Sequence, residues 1–164
     1  MKNFLKVIAL FLLITATAQA QSEQERQELE RQMARFELFT GYAPVRLLVE
    51  DLPENAAEIG LTRQAITTTV RSRLRGARIY NSEIRYPYLY VNVNVVGRAH
   101  SISLELNQVV FSPAAELSGS VTTWNVGMTG THGGPGSSYI LQGVGQVTDL
   151  FIDEYLAVNE GACQ

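Results

Sequence analysis

The chain holds few residues suited to covalent or acid–base chemistry. It has two histidines, His100 and His132, and one cysteine, Cys163. Ser137, His132 and Asp149 can be written as a nucleophile, base and orienting acid. No nucleophile elbow surrounds the serine, however, and the three residue types are common, so a hydrolase built on Ser137 or Ser138 is only a minor alternative. Neither histidine has a second ligand at metal-binding spacing, so no metal site is expected. Asp149, Asp153 and Glu154 fall in one helical stretch and read as its solvated face rather than as an acid–base pair. The run GTHGGPGSS, residues 130 to 138, leads into that helix, and a helix start can present N–H groups to an anion. No lysine follows, so the phosphate-loop pattern is absent. The run reads as a flexible connection, with His132, Gly133, Gly134 and Ser137 as the positions a ligand lid would use. No cofactor is implied.

Residues 1 to 20 read as a secretory signal peptide. Lys2 and Lys6 give a positive start, Val7 to Ile14 a short apolar run, and Ala18-Gln19-Ala20 a small-x-small cleavage site. Residue 21 is glutamine, so a lipid-anchored cysteine is not expected. No later segment is apolar for long enough to span a bilayer. Cleavage after Ala20 leaves 144 residues, sufficient for one domain burying roughly two-thirds of its surface. It also removes both lysines. Eleven arginines against sixteen acids give the mature chain a net charge of −5, which argues against nucleic acid or an anionic membrane as the main partner. Cys163 reads as a free thiol on a C-terminal tail (161–164), or as one half of an intermolecular disulfide.

Which elements must position these residues? Residues 22 to 39 are dense in helix formers, with Ser22 and Glu25 as a capping box and Leu29, Met33 and Phe36 as a narrow apolar stripe. They predict a lead-in amphipathic helix within 21–42, either solvated or docked on a partner. The domain proper spans 43–160. Residues 45 to 52 read as a strand with Val45, Leu47 and Val49 on one face. Residues 54 to 75 read as a first main helix, weakened at Gly60, restarted by a Thr62 cap, and stopped at Gly76. Its end carries Arg71, Arg73, Arg75 and Arg78. Arg73 points away from Arg71 and Arg75, and cations complement a helix C-terminus, so an anion site is not inferred. Residues 77 to 80 read as a short strand. The last helix begins at a Ser137 or Ser138 cap and buries Ile140, Val144, Val147, Phe151 and Val158, with Leu150 and Leu156 alongside. Gly143 and Gly145 either weaken it or permit close packing.

The stretch PYLYVNVNVVGRAHSISLEL, residues 87 to 106, alternates oily and polar residues almost without error. A two-residue turn at Gly97-Arg98, glycine first as in a type II′ hairpin, pairs Val93 with Ile102, Val91 with Leu104 and Leu89 with Leu106. The opposite face then pairs Tyr90 with Glu105, Asn92 with Ser103 and Asn94 with Ser101. A slip of one residue would place apolar side chains opposite polar ones. Residues 108 to 111 extend the second strand, and 119 to 128 form another. The expected fold is α+β: one mainly antiparallel sheet of four or five strands, with two helices on one face. The other face is then open, and carries Tyr88, Tyr90, Asn92, Asn94, Ser101, Ser103, Glu105 and Asn107. These are candidate partner-binding residues, since tyrosine buries large area at low entropic cost.

The segments GLTRQAITTTVRSRLRGARI (60–79), PYLYVNVNVV (87–96), VTTWNVGMTGTHG (121–133) and DLFIDEYLAVN (149–159) together resemble a family of small exported bacterial proteins of uncharacterised activity. That resemblance covers most of the mature domain and implies export, with no catalytic residue to transfer. The order of elements is more distantly similar to envelope-assembly accessory domains, such as the lipopolysaccharide-assembly lipoprotein and transporter auxiliary lipoproteins, but the lipidated cysteine of those proteins is missing. The sequence therefore predicts an exported, periplasmic or secreted, non-enzymatic interaction or assembly module of the bacterial cell envelope. Its partner would be a protein or envelope component. A carrier of a small apolar ligand or lipid is the alternative.

Overall fold

The computed structural model describes residues 23–131 and 136–163. The expected signal peptide, the Ser22 cap and the side chain of Cys163 lie outside the described residues. The chain falls into two compact units, Met1–Phe36 and Glu37–Gln164. In the first, residues 23 onward are helical, and this helix, α1, runs through residue 38. Ion pairs at helical spacing line it: Arg26 with Glu23 (2.7 Å) and Glu30 (3.3 Å), and Arg31 with Glu28 (2.6 Å). Leu29, Met33 and Phe36 are all exposed.

The second unit follows the order β1 (Arg46–Val49), a 3-10 turn (Glu54–Ile59), α2 (Arg63–Gly76), β2 (Tyr88–Val96), β3 (Ala99–Ser112), β4 (Leu117–Thr131), α3 (Ser138–Asn159) and a final 3-10 turn (Glu160–Cys163). One four-stranded mixed sheet runs β1-β2-β3-β4. The two hairpins are antiparallel, while β1 pairs parallel to β2. The β2–β3 register is the one the alternation requires: Leu89 opposes Leu106, Val91 opposes Leu104, and Val93 opposes Ile102. Gly97 opens the turn at φ 58°, the left-handed geometry a type II′ turn places there. Apolar residues of β1, β2 and β3 meet Ile66, Val70 and Leu74 of α2, and Ile140, Val144 and Phe151 of α3, in one core.

Several local expectations need correction. The stretch 54–75 is not one helix. A 3-10 turn ends at Gly60 (φ 70°), and α2 starts after Thr62, whose hydroxyl accepts from Ala65 N at 3.1 Å. Helix α2 ends at Gly76, as expected, but the left-handed residue that closes it lies two positions further on. Arg78 takes the left-handed position (φ 61°), with Ile79 N bonding Leu74 O and Arg78 N bonding Arg75 O, both at 3.0 Å. That is a Schellman closure, in which buried Ile79 and Leu74 supply the accompanying apolar contact. Residues 77–80 are therefore a helix end and not a strand; only Tyr80 forms a bridge, to Val45. Strand β4 continues through Gly130 and Thr131, shortening the glycine connection. On α3, Leu150 is exposed and Val158 only half-buried, while Tyr155 and Asn159 are fully buried. The buried phase runs 140, 144, 147, 151, 155, 159, and its last two positions are polar.

The two glycines of α3 serve close packing. A Cβ on Gly143 would lie 2.9 Å from Ile102 Cδ1, and one on Gly145 would collide with the Arg73 guanidinium. One glycine admits the sheet and the other admits α2.

Candidate functional site

The open face of the sheet is built by strand alternation. Once Leu89, Val91, Val93, Leu104 and Leu106 point to the helices, Tyr88, Tyr90, Asn92, Asn94, Ser103 and Glu105 must point away. All six are half-buried or exposed. Register places Leu48, Tyr90, Glu105 and Asn125 in one row across the four strands, and Ser103 next to Asn92 and Gly127. A one-residue bulge on β4, where Leu106 opposes Trp124 but Asn107 opposes Thr122, ends that regular face. Asn107 is consequently more enclosed than Glu105 and Val109 on the same face, and it accepts from Thr122 Oγ1 at 3.1 Å.

Glu50 organises the tyrosine end of this face. Its backbone N–H is fixed by Val91 O at 2.9 Å, and its carboxylate accepts from the Asn92 amide. Asn94 in turn donates to Asn92 Oδ1. Tyr90 is hydrogen-bonded to Glu50 as well. That bond, with lesser contributions from burial and from the Glu50 and Glu105 charges, pushes the phenol up to about 12. Tyr88 stacks at a tilt on Tyr86, ring centroids 5.5 Å apart, and Arg85 lies over the Tyr86 ring. A phenol whose folded pKa exceeds its unfolded value near 10 adds stability that is complete below pH 10 and lost between there and about 12. We therefore expect Glu50→Gln to move the phenolate absorbance of Tyr90 toward ordinary tyrosine. An unchanged titration curve would break the link between the two residues.

Glu50, Tyr86 and Thr122 belong to this site but were not singled out from sequence. Glu50 continues the outward alternation of Arg46 and Leu48, a detectable signal. Its meeting with residues 90 and 92 depends on the parallel β1–β2 register, which no local pattern encodes.

Of the loop candidates, only Ser137 lies among the described residues. His132, Gly133 and Gly134 lie outside the described residues. Ser137 precedes α3 without capping it; its hydroxyl donates to Gly60 O at 3.3 Å. Asp149 lies about twelve residues further along the same helix, roughly 18 Å at 1.5 Å per residue, more than one imidazole can bridge. Asp149 instead accepts from Arg73 Nε at 2.9 Å, and Glu154 accepts from Trp124 Nε1 at 2.8 Å. Two of the three acids read as a solvated face thus bind elements packed against α3. Beside buried His100, a crevice of about 80 Å³ is lined by Met128, Tyr139, Gln142, Gly143 and Gln146. Ligand pockets occupy roughly 300–1,000 Å³, so this crevice is smaller than a ligand pocket. Among the described residues no three of His, Cys, Asp and Glu cluster as metal ligands, and no helix is long and apolar enough to cross a membrane. No family model and no curated protein matches the chain.

Proposed function

We propose that this protein is an exported, non-catalytic interaction module of the cell envelope, which recognises a protein or envelope component through the open face of its sheet. The observation carrying this reading is the one-sided architecture: the helices occupy one face, and the other displays Tyr88 and Tyr90 among Asn92, Asn94, Ser103 and Glu105. Tyrosines held on strands lose little entropy on binding, and the Glu50 network fixes the Tyr90 ring before a partner arrives. Amide and hydroxyl groups around them supply hydrogen bonds at a rim.

In pull-downs from envelope extracts, Tyr88→Ala with Tyr90→Ala is expected to cost about 2 kcal/mol or more of partner binding, roughly a thirtyfold loss of affinity. Circular dichroism of the same variant should match wild type, because both side chains face away from the core. Retention of every partner at wild-type strength would dismiss this face as the binding surface.

A further inference from the structure

The two edges of the sheet are treated very differently. Strand β1 is four residues long, is bounded by Pro44 and Pro53, and carries Arg46 with Glu50 and Asp51 just beyond it. Arg63 spans this edge, donating to Val49 O at 2.8 Å and to Asp51 at 3.0 Å. Short length, charge and proline are the usual guards against unwanted strand pairing. Strand β4, at the other edge, has fifteen residues and none of these guards. LSGSVTTWNVGMTGT contains no Asp, Glu, Lys, Arg or Pro, although 18% of the chain is charged. Among the described residues its only strand partner is β3. Among the described residues, no backbone hydrogen bond joins β4 to any other segment. A strand paired on one side turns alternate N–H and C=O groups outward.

The distal half of this hairpin also leaves large apolar side chains in solvent on both faces. Leu117 (69% exposed) and Val121 (42%) share one face, while Val109 and Phe111 share the other. A Cβ added to Gly119, midway between Leu117 and Val121, would meet nothing within 4 Å.

We infer that the start of β4, Leu117–Val121, pairs antiparallel with the same five residues of a second copy of this chain, about a two-fold axis at Gly119, joining the two four-stranded sheets. Self-complementarity about Gly119 points to a second copy, and the lack of charge permits it. Two-fold pairing brings a strand against itself, so any charge near the axis would meet its own kind, and β4 has none. The register follows from the side chains. With Gly119 on the axis, Leu117 opposes Val121 of the second copy on one face, twice over, and Ser118 opposes Ser120 on the other. A slip of one residue would set Leu117 against serine and leave Val121 without an apolar neighbour. Because this axis stands perpendicular to the sheet, both tyrosine faces end on the same side. The inference does not depend on what that face binds.

Sedimentation of the purified protein at micromolar to hundred-micromolar concentration should show a dimer. Leu117→Lys with Val121→Lys replaces two exposed side chains, leaves the fold unchanged by circular dichroism, and should sediment as a monomer. Leu117→Glu with Val121→Lys sets opposite charges across the axis and should restore the dimer. A wild-type monomer throughout that range, or a dimer indifferent to the double lysine, overturns β4 pairing. A dimer lost in the lysine pair and not regained in the glutamate–lysine pair overturns the Gly119 register. Pull-down through the tyrosine face is scored separately, so either idea can fail alone.

Discussion

Replacing Asn159 with alanine should lower the unfolding free energy by about 3–5 kcal/mol, a large share of the 5–15 kcal/mol typical of a domain. Asn159 is fully buried near the end of α3. Its amide donates to Leu38 O at 3.0 Å and to Tyr155 O at 2.8 Å, and its Oδ1 accepts from Thr40 N at 3.0 Å and Tyr42 N at 3.1 Å. One turn earlier, the Tyr155 hydroxyl donates to Ala43 O and bonds Thr40 Oγ1. Two side chains four residues apart on one helix face therefore clasp the segment 38–43, which is otherwise nearly without regular structure. Alanine would strand two N–H groups and a C=O that Asn159 now satisfies, and each buried orphan costs about 1–3 kcal/mol. Asn159→Asp separates acceptor loss from donor loss. It keeps an acceptor for Thr40 and Tyr42 but turns a carboxylate toward two carbonyls. Burial and those carbonyls raise the folded pKa of the new acid above its unfolded value, so this variant should regain stability as pH falls through that folded pKa. Urea unfolding followed by Trp124 fluorescence reads both effects. A loss below about 1 kcal/mol for Asn159→Ala would show that the clasp does not hold the segment.

The second large effect is expected at Phe151. Its ring packs 5.2 Å from Trp124 and 5.5 Å from Tyr155, between β4 and the clasp, and it is fully buried. Phe151→Ala should cost about 3–5 kcal/mol from lost transfer energy and an incompletely collapsed cavity. Leu150, one residue earlier, is 42% exposed, so Leu150→Ala should change stability by only about 0.5 kcal/mol. The contrast between these neighbours tests the helical phase of α3 directly. Similar losses at both positions would mean that the buried face had been assigned wrongly.

What could be read from sequence follows the range of each interaction. The β2–β3 hairpin was legible because its register is set by period-two alternation and a glycine turn, both within twenty residues. The break at Gly60 and the Thr62 cap were legible for the same reason. On α3 the apolar positions gave the phase as far as Phe151. Beyond it the pattern misled, because Tyr155 and Asn159 are polar and their burial depends on carbonyls and amides more than a hundred residues away. Glycine at 76 marked the last residue of α2, but the left-handed reversal falls two residues later, at Arg78, where the Ile79–Leu74 contact closes the helix. The open face was predicted as a face, and its members Tyr88, Tyr90, Asn92, Asn94, Ser103 and Glu105 share it. Its organising acid, Glu50, required the non-local pairing of β1 with β2. The bulge opposite Leu106 and Asn107 has no glycine or proline to mark it, so the end of the regular face could not be placed in advance.

The central claim is that the sheet face opposite the helices engages the partner. A photo-crosslinking side chain at Asn92, on that face, and another at Ser72, on the exposed side of α2, test it in cells. The account predicts a discrete crosslinked product at Asn92, abolished by Tyr88→Ala with Tyr90→Ala, and none at Ser72. Products at Ser72 with none at Asn92 would contradict it.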